Sequence, residues 1–66
     1  MLQLKGYRVM AGLTQEELAK ALKISRVAYC YKENGQRTFT DKEENIILEK
    51  IKTAIPNIKR EDLFPI

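Results

Sequence analysis

Residues 14–35 read TQEELAKALKISRVAYCYKENG, and two short helices are legible in them. Thr14 stands before the run QEELAKAL, with Glu17 three residues on. That is a capping box: the threonine hydroxyl accepts a backbone N–H of the first turn, and the glutamate reaches back to the N–H of Thr14. Ser25 is placed to cap RVAYCYKEN, and Asn34-Gly35 ends that run with a residue that tolerates the left-handed conformation. Only Lys23 and Ile24 separate the two runs. So short a bend cannot lay the helices antiparallel, and the second must cross the first steeply. The arrangement is a helix-turn-helix, whose second helix can enter a DNA major groove.

Outward toward the N-terminus, residues 2–11 are expected to form a first helix. Leu4, Tyr7, Arg8, Met10 and Ala11 are spaced for one partly apolar face. Gly6 costs that helix up to ~1 kcal/mol relative to alanine, so tertiary packing must hold it. Gly12 ends it, and Leu13 can staple onto Leu18. In the second helix Leu18, Ala19 and Leu22 share one face, while Glu16, Glu17 and Lys20 point to solvent. Ala19 is the small residue that lets crossing helices approach, and Ile24 plugs the bend. In the third helix Ala28, Tyr29 and Lys32 fall inward or at the edge. Arg26, Val27, Cys30, Tyr31 and Asn34 face out.

Toward the C-terminus, Gln36 to Phe39 is a short loop with Phe39 as core anchor. Thr40 and Glu43 make another capping box, opening a fourth helix whose buried stripe is Ile47, Leu48, Ile51 and Ile55, with Ala54 beside it. Pro56 has no N–H to continue the ladder and is expected to stop this helix. Ile46 falls off the stripe, which makes it a candidate for a partner surface. A final turn over residues 60–64 returns Leu63 and Phe64 to the core. No strand alternation and no repeat interrupts the chain, so the fold class is all-α.

Sixty-six residues make one domain, 1–66, near the lower limit for folding without a disulfide or metal. One Cys and no His leave neither an internal disulfide nor a zinc site, and no cofactor or metal is expected. The lone Cys30 suits a reducing, cytoplasmic setting and reads as an edge residue of the third helix. No apolar run reaches the roughly 18 residues of a membrane span, and no signal-peptide pattern is present. Catalysis is poorly supported: with no His, one Ser and one Cys, the common nucleophile–base pairs cannot be assembled. The neighbouring carboxylates Glu16-Glu17, Glu43-Glu44 and Glu61-Asp62 point in different directions around a helix. Neither catalytic residues nor a small-molecule substrate are expected.

The net charge of +3 is mild, but its distribution is informative. From Lys20 to Arg37 the charges are Lys20, Lys23, Arg26, Lys32 and Arg37, opposed only by Glu33. Residues 41–55 mix Asp41, Glu43, Glu44 and Glu49 with Lys42, Lys50 and Lys52. Positive charge therefore gathers on the bend and the second helix of the pair, where a phosphate backbone would be met.

The segments LKGYRVMAGLTQEELAKAL, ISR, KENG and the closing EDLF together resemble the phage Cro/repressor-type helix-turn-helix domains, often called the XRE family. The segment AYCYKENG is similar to small regulators encoded by prophages of Gram-positive bacteria. This resemblance implies a five-helix, lambda-repressor-like bundle with Gln15 to Lys32 as the helix-turn-helix proper. It implies that Gln15 binds a DNA phosphate at a helix N-terminus, and that Arg26, Val27, Ala28 and Tyr31 are offered to base edges. Ser25 joins them at the start of the same helix, while Asn34 and Arg37 hold the DNA backbone beyond it. Arg8 and Glu33 match a family ion pair that ties the first helix to the third.

Two positions depart from the family pattern. Lys23 stands where a Gly is frequent; a positive φ there would cost a lysine about 1 kcal/mol. Lys32 stands where an aliphatic residue is usual, and its stem can lie on the core while its ammonium points outward. The function implied is a sequence-specific regulator of transcription that binds double-stranded operator DNA as a homodimer in a bacterial cytoplasm. With no second domain in the chain, dimer contacts are expected from Ile46, Ile58, Ile66 and the apolar end LFPI. The rival reading is a protein-interaction module on the same scaffold, antitoxin-like or part of an anti-repressor. It would favour an apolar, acidic outer face on the third helix, and that face is not acidic.

Overall fold

Three helix starts read in the sequence are formed as hydrogen bonds in the computed structural model, which describes residues 2–65. Its elements are α1 (Leu2–Met10), α2 (Gln15–Leu22), α3 (Arg26–Glu33), α4 (Asp41–Lys52) and α5 (Arg60–Leu63). Thr14 Oγ1 accepts the Glu17 N–H at 3.1 Å, and Glu17 Oε1 accepts the Thr14 N–H at 2.9 Å. Thr40 and Glu43 repeat both bonds at the start of α4. Ser25 Oγ accepts the Ala28 N–H at 3.1 Å.

Three helix ends also share one device. After α1, α2 and α3 the chain turns through a left-handed residue: Gly12 (φ 74°), Lys23 (φ 61°) and Gly35 (φ 87°). Each turn is closed by a pair of backbone bonds, as in Lys23 N–H to Lys20 O and Ile24 N–H to Ala19 O, both 3.0 Å. This is the Schellman pattern, which satisfies carbonyls the helix would leave unpaired. Lys23 takes a conformation that glycine adopts without strain, at a cost of about 1 kcal/mol. The bend between α2 and α3 thus stays a single tight turn.

The helices close on one core. α2 packs on α3 and α4, α1 on α3 and α5, and α4 on α5. Leu4, Leu18, Tyr29, Ile47, Ile51 and Leu63 are fully buried, with Ala19 at the α2 crossing. Burying each large aliphatic side chain contributes roughly 1.5–3 kcal/mol. Phe39 links two layers, its ring 5.8 Å from Tyr29 and 5.5 Å edge-on to Phe64. The short α5 exists to bring Leu63 and Phe64 beneath α1 and α4, and Arg60 locks it by bonding Glu44 and Asp41.

Several sequence expectations are corrected. Met10 is 71 % exposed: six residues from Leu4, it lies off the i, i+3, i+4, i+7 face that buries Tyr7, Arg8 and Ala11. α4 ends at Lys52, short of Ile55 and Pro56. Thr53 Oγ1 donates to Lys50 O at 2.7 Å and Ala54 N–H to Ile51 O at 3.0 Å, so the last turn tightens before the proline. Ala54 is exposed as a result. Ile58 is not a surface residue; the α4–α5 turn folds it into the core, 5 % exposed. Leu63 and Phe64 of LFPI are buried too, and Ile66 lies outside the described residues.

Lys32 departs in its head group. The ammonium does not run out to solvent but pairs with Glu43 Oε1 at 2.7 Å, above the Phe39 ring. Glu43 Oε1 therefore accepts from both the Thr40 N–H and Lys32. Burial works against the Glu43 carboxylate, and the bonds from Lys32 and Thr40 hold its pKa below the ordinary value. One oxygen starts α4 and ties it to α3.

Candidate nucleic-acid interface

The outer face of α3 follows from its helical spacing. Residues 27, 30, 31 and 34 fall on one side, away from the buried Tyr29 and Glu33, with Arg26 at the edge of that side. Arg26 is exposed in the first turn, Val27 is 59 % exposed and Tyr31 42 %. Ala28 and Cys30 are half-buried at the edges. Ser25 is exposed, with its hydroxyl engaged as the cap. Asn34 is exposed at the far end, where its Nδ2 donates to Cys30 Sγ at 3.5 Å.

Four of the expected site residues gather in two pairs. Gln15 and Arg26 line one cleft, between the end of α1 and the starts of α2 and α3, together with Lys5, Val9 and Glu16. Tyr31 and Arg37 form the other pair. The Gln36 and Arg37 N–H groups both reach Tyr31 O, and the Arg37 guanidinium lies over the Tyr31 ring at 5.7 Å. A cation held on an aromatic face is attracted by the ring quadrupole, which presents both side chains already ordered.

Behind this face sits Glu33, 1 % exposed. Arg8 Nε donates to its Oε2 at 2.8 Å and Arg8 Nη2 to its Oε1 at 3.1 Å, so the expected ion pair is formed as a fork. Tyr29 Oη donates to Oε2 at 2.8 Å, and Gln15 Nε2 to Oε1 at 3.0 Å. Arg8 Nη1 also reaches Leu13 O at 2.9 Å. Burial raises the Glu33 pKa, but the bonds from Arg8, Gln15 and Tyr29 outweigh it and the carboxyl lies below its ordinary value. Burial and the Glu33 carboxylate push the Tyr29 hydroxyl up, so it remains a donor. No buried side-chain N or O among the described residues lacks a partner.

The sequence reading did not anticipate three features of this site. Gln15 is bonded to Glu33 as well as standing at the N-terminus of α2. Its amide carries two N–H donors, so a second stays available. Lys5 lines the Arg26 cleft; its place one turn before Arg8 on α1 was a signal that could have found it. Lys32 is neutralised by Glu43 and leaves the set of free cations. Among the described residues no cluster of His, Cys, Asp and Glu could hold a metal, and no helix is long and apolar enough to cross a membrane.

What this arrangement can do chemically is bind a polyanion beside an exposed helix. A family model described as helix-turn-helix matches residues 4–43, from the buried Leu4 to the capping Glu43. No curated protein and no solved structure matches the chain. The matched span contains most of α1, all of α2 and α3, the Arg8–Glu33 pair and every expected site residue, and leaves most of α4 and all of α5 outside. The chain belongs to the helix-turn-helix family of the Cro/repressor (XRE) type, whose members are DNA-binding transcriptional regulators.

Proposed function

We propose that the chain occupies double-stranded operator DNA as a homodimer and controls a promoter by that occupancy. One observation carries the reading. Glu33, the only acidic residue between Lys20 and Arg37, is sunk beneath α3 and bound by Arg8, while Lys20, Lys23, Arg26 and Arg37 are exposed. The same carboxylate that would repel a phosphate is spent inside the protein.

In this reading Arg26 reads a base edge or grips a phosphate, since its fork fits guanine O6/N7 and a phosphate alike. Val27 and Ala28 offer apolar contact, and Tyr31 meets a thymine methyl or donates its hydroxyl. Gln15 uses its second N–H, with the first backbone N–H groups of α2, on a phosphate. Asn34 and Arg37 hold the backbone past α3, and Ser25 lies at its entry. The AYCYKENG segment supports a phage or prophage regulator acting in a bacterial cytoplasm, with no cofactor required.

The dimer follows from size. The Cα atoms span 28 × 24 × 20 Å, shorter in every direction than the about 34 Å between successive major grooves on one face of DNA. One copy reads one groove, which rarely suffices against a genome's competing sites. Selection of bound sequences from a random DNA pool tests the whole reading. The expected product is an inverted repeat with half-site centres one helical turn apart, bound with an affinity that falls steeply with salt. A pool with no enriched sequence, together with salt-independent binding, would overturn it.

A further inference from the structure

α4 turns Ile47 and Ile51 to the core and keeps a second face outside it. Lys42, Asn45, Ile46, Glu49 and Lys50 line one shallow groove there, Ile46 half-buried at its floor and the others exposed. The steps from 42 to 45, 46 and 49 follow the i, i+3, i+4, i+7 rule, so these residues form one row along the helix. Lys42, Glu49 and Lys50 make no ion pair among the described residues.

The charges along this row are arranged to complement themselves. Lys42 opens the row and Glu49 stands two turns on. Reversed end for end, the positive Lys42 end lies on the negative Glu49 end. We propose that this face is the contact between two copies of the chain, an antiparallel α4–α4 pair about a two-fold axis passing between residues 45 and 46. Lys42 of one copy then meets Glu49 of the other, and Ile46 packs across Asn45. A shift of one residue, bringing Ile46 onto Ile46, would set Lys42 against Lys50. Like charges reject that register, and opposite charges select the first.

The proposal rests on the dimer reading above and says where the dimer is made. Twelve residues of helix are about 18 Å long. A face of that length falls short of the ~1,000 Å² expected of a stable interface. The pair is therefore weak in free solution and completed on DNA, where adjacent half-sites hold the two copies at high effective concentration.

The test compares affinity for the selected inverted repeat with affinity for one isolated half-site, in the full chain. The variants are Ile46→Glu, Glu49→Lys and the double Lys42→Glu/Glu49→Lys, with circular dichroism to confirm helix content. Glu49→Lys adds positive charge, so any loss it causes cannot come from weaker attraction to phosphate. Wild type should favour the repeat by about a hundredfold. Ile46→Glu and Glu49→Lys should each cut that advantage roughly tenfold, and the double variant, with its charges exchanged, should recover it. An unchanged advantage in both single variants would overturn the α4 contact while leaving a dimer made elsewhere. A wild type with no advantage on the repeat would overturn the dimer reading and this contact with it.

Discussion

Arg8 and Arg60 perform the same bond chemistry in two regions of the molecule, with different consequences. Arg8 reaches Glu33 across 25 positions and Arg60 reaches Glu44 across 16. The Arg8–Glu33 side chains are 9 % and 1 % exposed, whereas the Arg60 side chain is 41 % exposed and that of its second partner, Asp41, 95 %. Around Arg60, water reaches the guanidinium and Asp41, and exposed pairs contribute little. Around Glu33 it cannot, and a carboxylate left alone there would be a buried, uncompensated charge. The bonds to Glu33 come from α1, α2 and α3, so the costly network lies directly behind the reading face. The more exposed one fastens α5 to α4, largely beyond the segment matched by the family.

Removing Glu33 is the strongest way to break the comparison. Glu33→Ala leaves Arg8 buried without its partner and should cost about 3–5 kcal/mol. A chain of this length has a total stability of roughly 3–10 kcal/mol, so the variant should be largely unfolded at room temperature by circular dichroism. A loss below ~1 kcal/mol would place the two arginines in the same class.

Acid should reproduce part of that loss. The folded Glu33 carboxyl lies below its ordinary value of 4.5, so its stabilisation is complete above that pH and is lost as pH falls through the lowered folded value. Glu17 and Glu43 are lowered too and add in the same direction. Urea midpoints measured from pH 7 down to pH 2 should fall on the acid side. In Glu33→Gln that limb should be shallower but still present. An identical slope in the two proteins would show that Glu33 does not titrate with folding.

Tyr29→Phe sharpens the comparison within the network. It keeps the ring beside Phe39 and deletes one bond to Glu33, with Arg8 and Gln15 still in place. The expected loss is about 1–2 kcal/mol in chemical denaturation. No change would mean that the remaining donors fully satisfy the carboxylate. Arg60→Ala should have the smallest effect, a melting midpoint indistinguishable from that of an ordinary surface substitution. A clear drop would show that fastening α5 matters more than its exposure suggests.

What could be read without coordinates was local or periodic. A capping box is a relation between residues three apart, so Thr14 with Glu17 and Thr40 with Glu43 were legible at once. The crossing of α2 and α3 followed from the length of the bend, and the stripe of Ile47 and Ile51 from helical spacing. The Arg8–Glu33 pair was legible only through resemblance, because no local rule relates residues so far apart. The misreadings of Lys32 and Ile58 have that same source. Lys32 was expected to reach water, since nothing in the sequence says that Glu43 stands opposite it across a loop. Arg60 and Ile58 were placed by a turn whose direction the sequence leaves open.

The sequence by itself therefore determined where α2, α3 and α4 start, the bend that ends α2 and most of the inward faces, since backbone hydrogen bonding and the 3.6-residue repeat act over a few neighbouring residues. Tertiary structure alone decided which charges remain free. Whether Lys32, Gln15 or Glu33 can meet a phosphate depends on what stands within 3 Å of it. Those partners come from other helices, brought there by the packing of the core.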